Sequence, residues 1–269
     1  MLAENPAPGR KTAAFTESLD GTKLAFEKFG KGPPLIVVGG ALSERGGGKP
    51  LAQMLGDGFS VYVYDRRGRG DSGDTQPYTV AREIEDLDAL IGHAGGRAYV
   101  YGVSSGAALA LQAAAKLGPT KVTKLAVYEP PYGQDSEQFN EQKARVELLV
   151  ETGKPGDAAA YFFTAIGTPT AALEEMKRSP AWEGFKKLDF TLAYDYAVLG
   201  NGSIPDVVKQ LTIPTLVLSG EKTLPFIPAA ADRLAQLIPG AQRKTIPGQG
   251  HQAAPETVAP LLTDFFNRQ

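Results

Sequence analysis

Ala98-Tyr99-Val100-Tyr101-Gly102-Val103-Ser104-Ser105-Gly106-Ala107 is the stretch on which the fold turns. Its first four residues read as a short buried β-strand. The run from Ala107 to Lys116, rich in Ala and Leu, reads as a helix. Between them stands G-x-S-x-G with Ser104 at its centre. A serine at a sharp strand-to-helix turn holds its hydroxyl out on a strained backbone, and the flanking glycines let strand and helix pass closely. The helix N-terminus also aims free N–H groups at any anion that forms beside the serine. Ser104 is therefore the candidate nucleophile. Ser105 is not, because Val103 and Ala107 occupy the places its glycines would need. In a chain with 31 glycines the pattern alone discriminates poorly, so the surrounding order must carry the reading.

Upstream, residues 13–29 alternate around Asp20-Gly21, a turn dipeptide, and predict a hairpin. Leu35-Ile36-Val37-Val38 is a continuous apolar run, as in a strand covered on both faces, and it ends in Gly39-Gly40-Ala41. A short helix near 50–56 leads to a second such run, Val61–Tyr64, which ends in Asp65-Arg66-Arg67-Gly68-Arg69-Gly70-Asp71-Ser72. Val80, Ile84, Leu87 and Ile91 then mark one face of an amphipathic helix. Downstream of the elbow, Leu125–Tyr128 reads as a strand stopped by Pro130-Pro131. Residues 132–205 break the rhythm, being mostly helical in pattern with no clear buried strand. It returns with Thr215–Gly220, a helix over 229–238, the strand Arg243–Ile246 and a closing helix with Val258, Leu262 and Phe265 on one face. Strands alternating with helices imply a parallel sheet with right-handed crossovers. The expected fold is α/β, a mostly parallel sheet flanked by helices, with 1–131 and 206–269 as its core and 132–205 as an inserted helical cap.

Composition bounds the function. With 269 residues the chain can hold one large domain, and 42% hydrophobic with 22% charged residues is ordinary for a globular protein. A formal charge of −2 gives no reason to expect nucleic acid or an anionic membrane as partner. No run approaches the roughly 18 apolar residues of a membrane span. The start, MLAENPAPGRKTAAF, is polar and Pro-interrupted and lacks the apolar segment of a secretory signal, so the cytoplasm is the expected compartment. Without cysteine there is no disulfide, thiolate metal site or thiol nucleophile, and two histidines, His93 and His251, make a multi-His metal site unexpected. Neither G-x-x-x-x-G-K-[ST] nor a post-strand G-x-G-x-x-G is present, so a nucleotide cofactor is not expected.

The order of these features resembles the α/β-hydrolase superfamily with a helical cap. They are a strand ending in Gly-Gly, the Asp65–Ser72 loop, G-x-S-x-G, a helical insert and the late Gly248-Gln249-Gly250-His251. Within it the chain is similar to small bacterial hydrolases with a Tyr-Glu-Pro-Pro segment, here Tyr128-Glu129-Pro130-Pro131. The resemblance implies that the general base comes last in the chain, in a loop after the final strand, which is His251. His93 ends the amphipathic helix before the elbow strand, a place that favours a protonated histidine for helix-dipole reasons. The Asp65–Asp71 loop matches a segment that relatives use for packing and turn geometry rather than for binding anions.

The acid is where the chain departs from the family. The usual position lies about three residues past the Gly that ends the strand Thr215–Gly220, and here it holds Thr223. Threonine cannot supply the charge that fixes a histidine tautomer. Two carboxylates could compensate: Glu221, two residues early, and Glu129, at the end of the strand Leu125–Tyr128, a position that certain haloalkane dehalogenases use for their acid. Glu129 is favoured on physical grounds: it stands at the carboxyl end of an apolar strand beside the elbow strand, where α/β sites assemble. A carboxylate there is costly unless paired, and a histidine supplies the partner. The alternative for Glu129 is a structural ion pair with an arginine of the 66–69 loop.

The resemblance places the oxyanion donors at the backbone N–H groups of Ser105 and Ala41. A serine at the elbow sets aside epoxide hydrolases and haloalkane dehalogenases, which need a carboxylate nucleophile. The insert carries Phe139, Tyr161, Phe162, Phe163, Trp182, Phe185, Phe190, Tyr194 and Tyr196, most of them expected in the cap's own core and the rest above Ser104. The expected activity is cofactor-free serine hydrolysis of a small hydrophobic ester, thioester or lactone. Perhydrolase or C–C hydrolase chemistry, and a non-turnover ligand receptor on the same fold, are the alternatives.

Overall fold

The computed structural model describes residues 13–133 and 136–268. Residues 1–12, read above as a polar start without a secretory signal, lie outside the described residues. Eight strands form one sheet in the order β1-β2-β4-β3-β5-β6-β7-β8. The strands β1 (Ala14–Glu17) and β2 (Lys23–Phe29) are the hairpin expected around Asp20-Gly21, and β2 runs antiparallel to β4 (Ser60–Tyr64). From there β3 (Pro34–Val38), β5 (Ala98–Val103), β6 (Val122–Tyr128), β7 (Thr215–Gly220) and β8 (Gln242–Ile246) pair in parallel.

Continuous apolar strands are buried on both faces, and the alternation of side chains sorts them into two cores. Ile36, Val38, Val100, Leu125, Val127 and Val217 face α2 (Val80–His93), α3 (Ser105–Leu117) and α9 (Ile227–Leu237). Leu35, Val37, Tyr101, Ala126, Leu216 and Leu218 face α1 (Lys49–Leu55) and α10 (Pro255–Asn267). Between β6 and β7 the described residues form five α-helices: α4 (Ser136–Thr152), α5 (Asp157–Ala165), α6 (Thr170–Arg178), α7 (Trp182–Leu188) and α8 (Leu192–Leu199). Phe139, Trp182 and Tyr196 are buried among them, with Phe162, Phe163 and Phe185 packed alongside. None of the described helices is long and apolar enough to cross a membrane.

The register decides where chemistry can assemble. Val103 pairs with Tyr128, so β5 and β6 finish side by side. The ladder continues one step beyond each strand: the Ser104 N–H donates to Tyr128 O at 2.9 Å, and the Glu129 N–H donates to Leu218 O at 3.0 Å. Ser104 and Glu129 therefore leave the sheet from adjacent strand ends, on the carboxyl edge where ligands of open α/β sheets bind.

Candidate active site

Ser104 sits at φ 55°, ψ −127°, a left-handed backbone that an L-residue adopts only when its surroundings impose it. Here the imposition is close packing. A Cβ on Gly102 would lie 2.5 Å from Gly106 O, and one on Gly106 would lie 2.4 Å from both Val38 O and Gly39 O. The two glycines of the motif let β5 turn into α3 and let α3 press on the end of β3. The Ser104 carbonyl accepts from the N–H groups of Ala107 and Ala108, which starts the helix at Ser105.

His251 follows β8 in the loop predicted for it. That loop is tied down by its backbone: Lys222 N–H donates to Gln249 O at 2.7 Å, and the Tyr128 hydroxyl donates to Gly250 O. The result is a chain of three side chains. His251 Nε2 lies 3.1 Å from Ser104 Oγ, and His251 Nδ1 lies 2.6 Å from Glu129 Oε2. A carboxylate on Nδ1 holds the ring proton there and leaves Nε2 free to accept the serine hydroxyl.

Glu129 is fully buried and, like Ser104, has positive φ, at 49°. Besides His251 it has two donors: the Gly220 N–H on Oε1 at 2.7 Å and the Thr223 hydroxyl on Oε2 at 2.7 Å. Burial pushes this carboxyl up, but the bonds from His251, Thr223 and Gly220 outweigh it and hold the group below the usual carboxylate range. Glu221, the other carboxylate weighed from sequence, is exposed and accepts instead from the Gly248 N–H at 2.8 Å, so it supports the histidine loop from outside. The arginines of the 66–69 loop pair with other carboxylates and not with Glu129. His93 ends α2 with its ring edge-on to Phe26, centroids 4.7 Å apart.

The loop after β3 closes on the nucleophile. A Cβ on Gly40 would stand 3.0 Å from Ser104 Cβ, so the Gly40–Ala41 peptide borders the serine directly. On the other side Ser105 opens α3, and the N–H groups of a helix's first turn have no partner within the helix. Ala41 and Ser105 thus stand on either side of Ser104. Among the described residues there is no group of three or more His, Cys, Asp or Glu able to hold a metal ion.

A further set of residues around the site was not anticipated. Arg66, Arg67 and Arg69 are buried, at 2%, 0% and 1% exposure, so the loop read as serving packing and turn geometry also forms a charged interior. Arg66 binds Glu83 in a fork, at 2.8 and 3.0 Å, and also Asp195 of α8 at 2.7 Å. Arg69 binds both oxygens of Asp195, at 2.8 and 2.9 Å. The signal was present in the sequence: an aspartate inside the apolar run Leu192–Leu199 must be paired if buried, and the 66–69 loop holds surplus cations.

A model of the alpha/beta hydrolase family matches residues 35–261. An alpha/beta hydrolase of Sphaerobacter thermophilus is 47% identical and superposes with a TM-score of 0.87, covering 94% of this chain and 100% of that one. The pimeloyl-(acyl-carrier protein) methyl ester esterase of Stenotrophomonas maltophilia is 28% identical over 239 residues, 85% of this chain and 89% of that protein. The 2-(acetamidomethylene)succinate hydrolase of Mesorhizobium japonicum is 26% identical over 255 residues, 91% of each. With the family match spanning most of its length, the chain belongs to the alpha/beta hydrolase family.

Proposed function

We propose that the protein is a serine hydrolase that cleaves a small hydrophobic carboxylic ester, thioester or lactone through an acyl-enzyme intermediate. The observation that carries this is the unbroken Ser104–His251–Glu129 chain, at 3.1 and 2.6 Å, with its acid buried and its serine half-exposed. His251 Nε2 takes the Ser104 proton as Oγ attacks the carbonyl carbon. Glu129 keeps the ring oriented and balances the imidazolium charge. The developing oxyanion lies between the N–H groups of Ala41 and Ser105, each worth about 3 kcal/mol of barrier when well placed. His251 then protonates the leaving group, and water enters by the same route in reverse to release the acid.

A curated relative that is an ester hydrolase by name, and the aromatic content of the insert, favour a hydrophobic acyl group over a sugar or peptide. The test is steady-state hydrolysis of p-nitrophenyl esters from acetate to dodecanoate by wild type and Ser104→Ala. Multiple turnovers that vanish in the variant are the expected result. No turnover on any ester would sink the esterase reading and favour a binding role.

A further inference from the structure

Asp195 of α8 binds Ser105 on one side of the nucleophile and, on the other, Arg69, which reaches the loop after β3. Its Oδ1 accepts from the Ser105 hydroxyl at 2.7 Å, from Arg66 Nη1 at 2.7 Å and from Arg69 Nη2 at 2.8 Å. All four groups are buried, at 2% exposure or less. The Asp195 carboxyl is opposed by its own burial, but Arg69 and Arg66 hold it ionised. Arg69 continues the line: its Nη1 donates to Gly40 O at 2.5 Å, and the Ser43 hydroxyl donates to the same carbonyl at 2.6 Å. Arg66 Nη1 lies 3.4 Å from Gly39 O, one peptide earlier.

Peptide planarity gives this arrangement its meaning. In a trans peptide the C=O and the N–H point to opposite sides of a rigid plane. Two donors on Gly40 O therefore fix the direction in which the N–H of Ala41 points, because both belong to one peptide unit. The second donor, the N–H of Ser105, belongs to the residue whose side chain Asp195 holds. A single carboxylate on α8 is thus linked, directly to Ser105 and through Arg69 to the Gly40–Ala41 peptide, to both residues whose N–H groups flank Ser104.

We propose that Asp195 is a positioning residue for the oxyanion hole, acting through Arg69 on the Gly40–Ala41 peptide and directly on Ser105. Seating of α8 against the core and assembly of the hole are then one event. This rests on the serine-hydrolase reading given above. Asp195 touches no reacting atom, so its removal should weaken stabilisation of the transition state without weakening substrate binding.

The experiment compares an oxoester with its thionoester, in which sulfur replaces the carbonyl oxygen. Sulfur is a poor acceptor of N–H hydrogen bonds, so a well-formed hole favours the oxoester and a displaced one loses that preference. Wild type, Ser105→Ala, Asp195→Asn and, as a packing control, Leu192→Ala are assayed on the best p-nitrophenyl ester and its thionoester. Ser105→Ala keeps every charge of the cluster, so it remains informative should Asp195→Asn fail to fold. In Ser105→Ala the oxoester kcat should fall about tenfold or more, with KM little changed and the thionoester rate falling far less. In Leu192→Ala the two rates should fall together. An oxoester-to-thionoester ratio unchanged in Ser105→Ala, or shifted equally in Leu192→Ala, would overturn the proposal while leaving the hydrolase reading intact. Absence of wild-type turnover defeats that reading first, and the proposal with it.

Discussion

Thr223 donates its hydroxyl to the same oxygen of Glu129 that His251 holds, at 2.7 and 2.6 Å. The threonine stands where related enzymes are expected to carry their acid, and it donates to the carboxylate proposed for that role at the end of the neighbouring strand. The Glu129 carboxylate approaches Nδ1 from β6, and the pairing of β6 with β7 lets the Gly220 N–H reach its Oε1 across the gap.

As the acid of the proposed triad, Glu129 should be sensitive to loss of charge alone. Glu129→Gln keeps the shape and is expected to lower kcat by about 10⁴-fold, the cost of an equivalent change in a serine-protease triad. Glu221→Gln, which alters only an exposed bond to Gly248, should leave kcat nearly unchanged. Steady-state assays of both variants on one ester decide it; a larger loss at Glu221 reverses the assignment.

Thr223→Val removes one hydrogen bond to a buried charge, worth about 1.5–3 kcal/mol, and should reduce kcat roughly ten- to hundredfold. Thr223→Asp in the wild-type background sets two carboxylates around one ring nitrogen and should also be slow, since like charges cannot both stay ionised there. In the Glu129→Gln background the same Thr223→Asp should recover activity. If the double variant is no faster than Glu129→Gln, the two positions do not share a target.

The lowered pKa of Glu129 has a definite sign in stability. A carboxyl more acidic in the folded chain than in the unfolded one stabilises above the ordinary carboxylate range, and that contribution disappears as pH falls through the folded value. Thermal melts between pH 7 and pH 3 should therefore fall more steeply for wild type than for Glu129→Gln. Parallel curves would show that the bonds from His251, Thr223 and Gly220 do not discriminate between folded and unfolded chains.

Arg67 offers a test of the charged interior away from the nucleophile. Its side chain is fully buried and bridges Asp86, at 2.6 and 2.7 Å, to Asp20 at 2.9 Å. Arg67→Met leaves the buried Asp86 carboxylate without its cation and should cost about 3–5 kcal/mol in urea denaturation. A loss below about 1 kcal/mol, the scale of an ordinary surface change, would mean water or rearrangement replaces the pair.

Much of the fold was legible because it is written in short-range patterns. Apolar runs of four residues gave β3, β4 and β5, and the spacing of Val80, Ile84, Leu87 and Ile91 gave α2. The pairing of Glu129 with His251 was legible for a related reason: a carboxylate at the end of a buried strand has few affordable partners, and parallel pairing puts its neighbours on one edge. Asp195 was not legible as a partner of Ser105, because the two are 90 positions apart and nothing local in either segment names the other. The carboxylate partners of the 66–69 arginines were not legible for the same reason. Their loop matches a turn, and their burial depends on where Glu83, Asp86 and an insert helix arrive.

The pairing of Arg69 with Asp195 bears on how such proteins diversify. Among the described residues Asp195 is the only carboxylate in ion-pair contact with Arg69, and the two lie on opposite sides of the junction between sheet and insert. A chimera that grafts a foreign insert onto this core inherits an interior guanidinium with no counterion unless the graft delivers an acid to that spot. Exchange of inserts, an obvious route to new specificity, is thereby restricted to donors that share this one charge or to recipients that first lose the arginine.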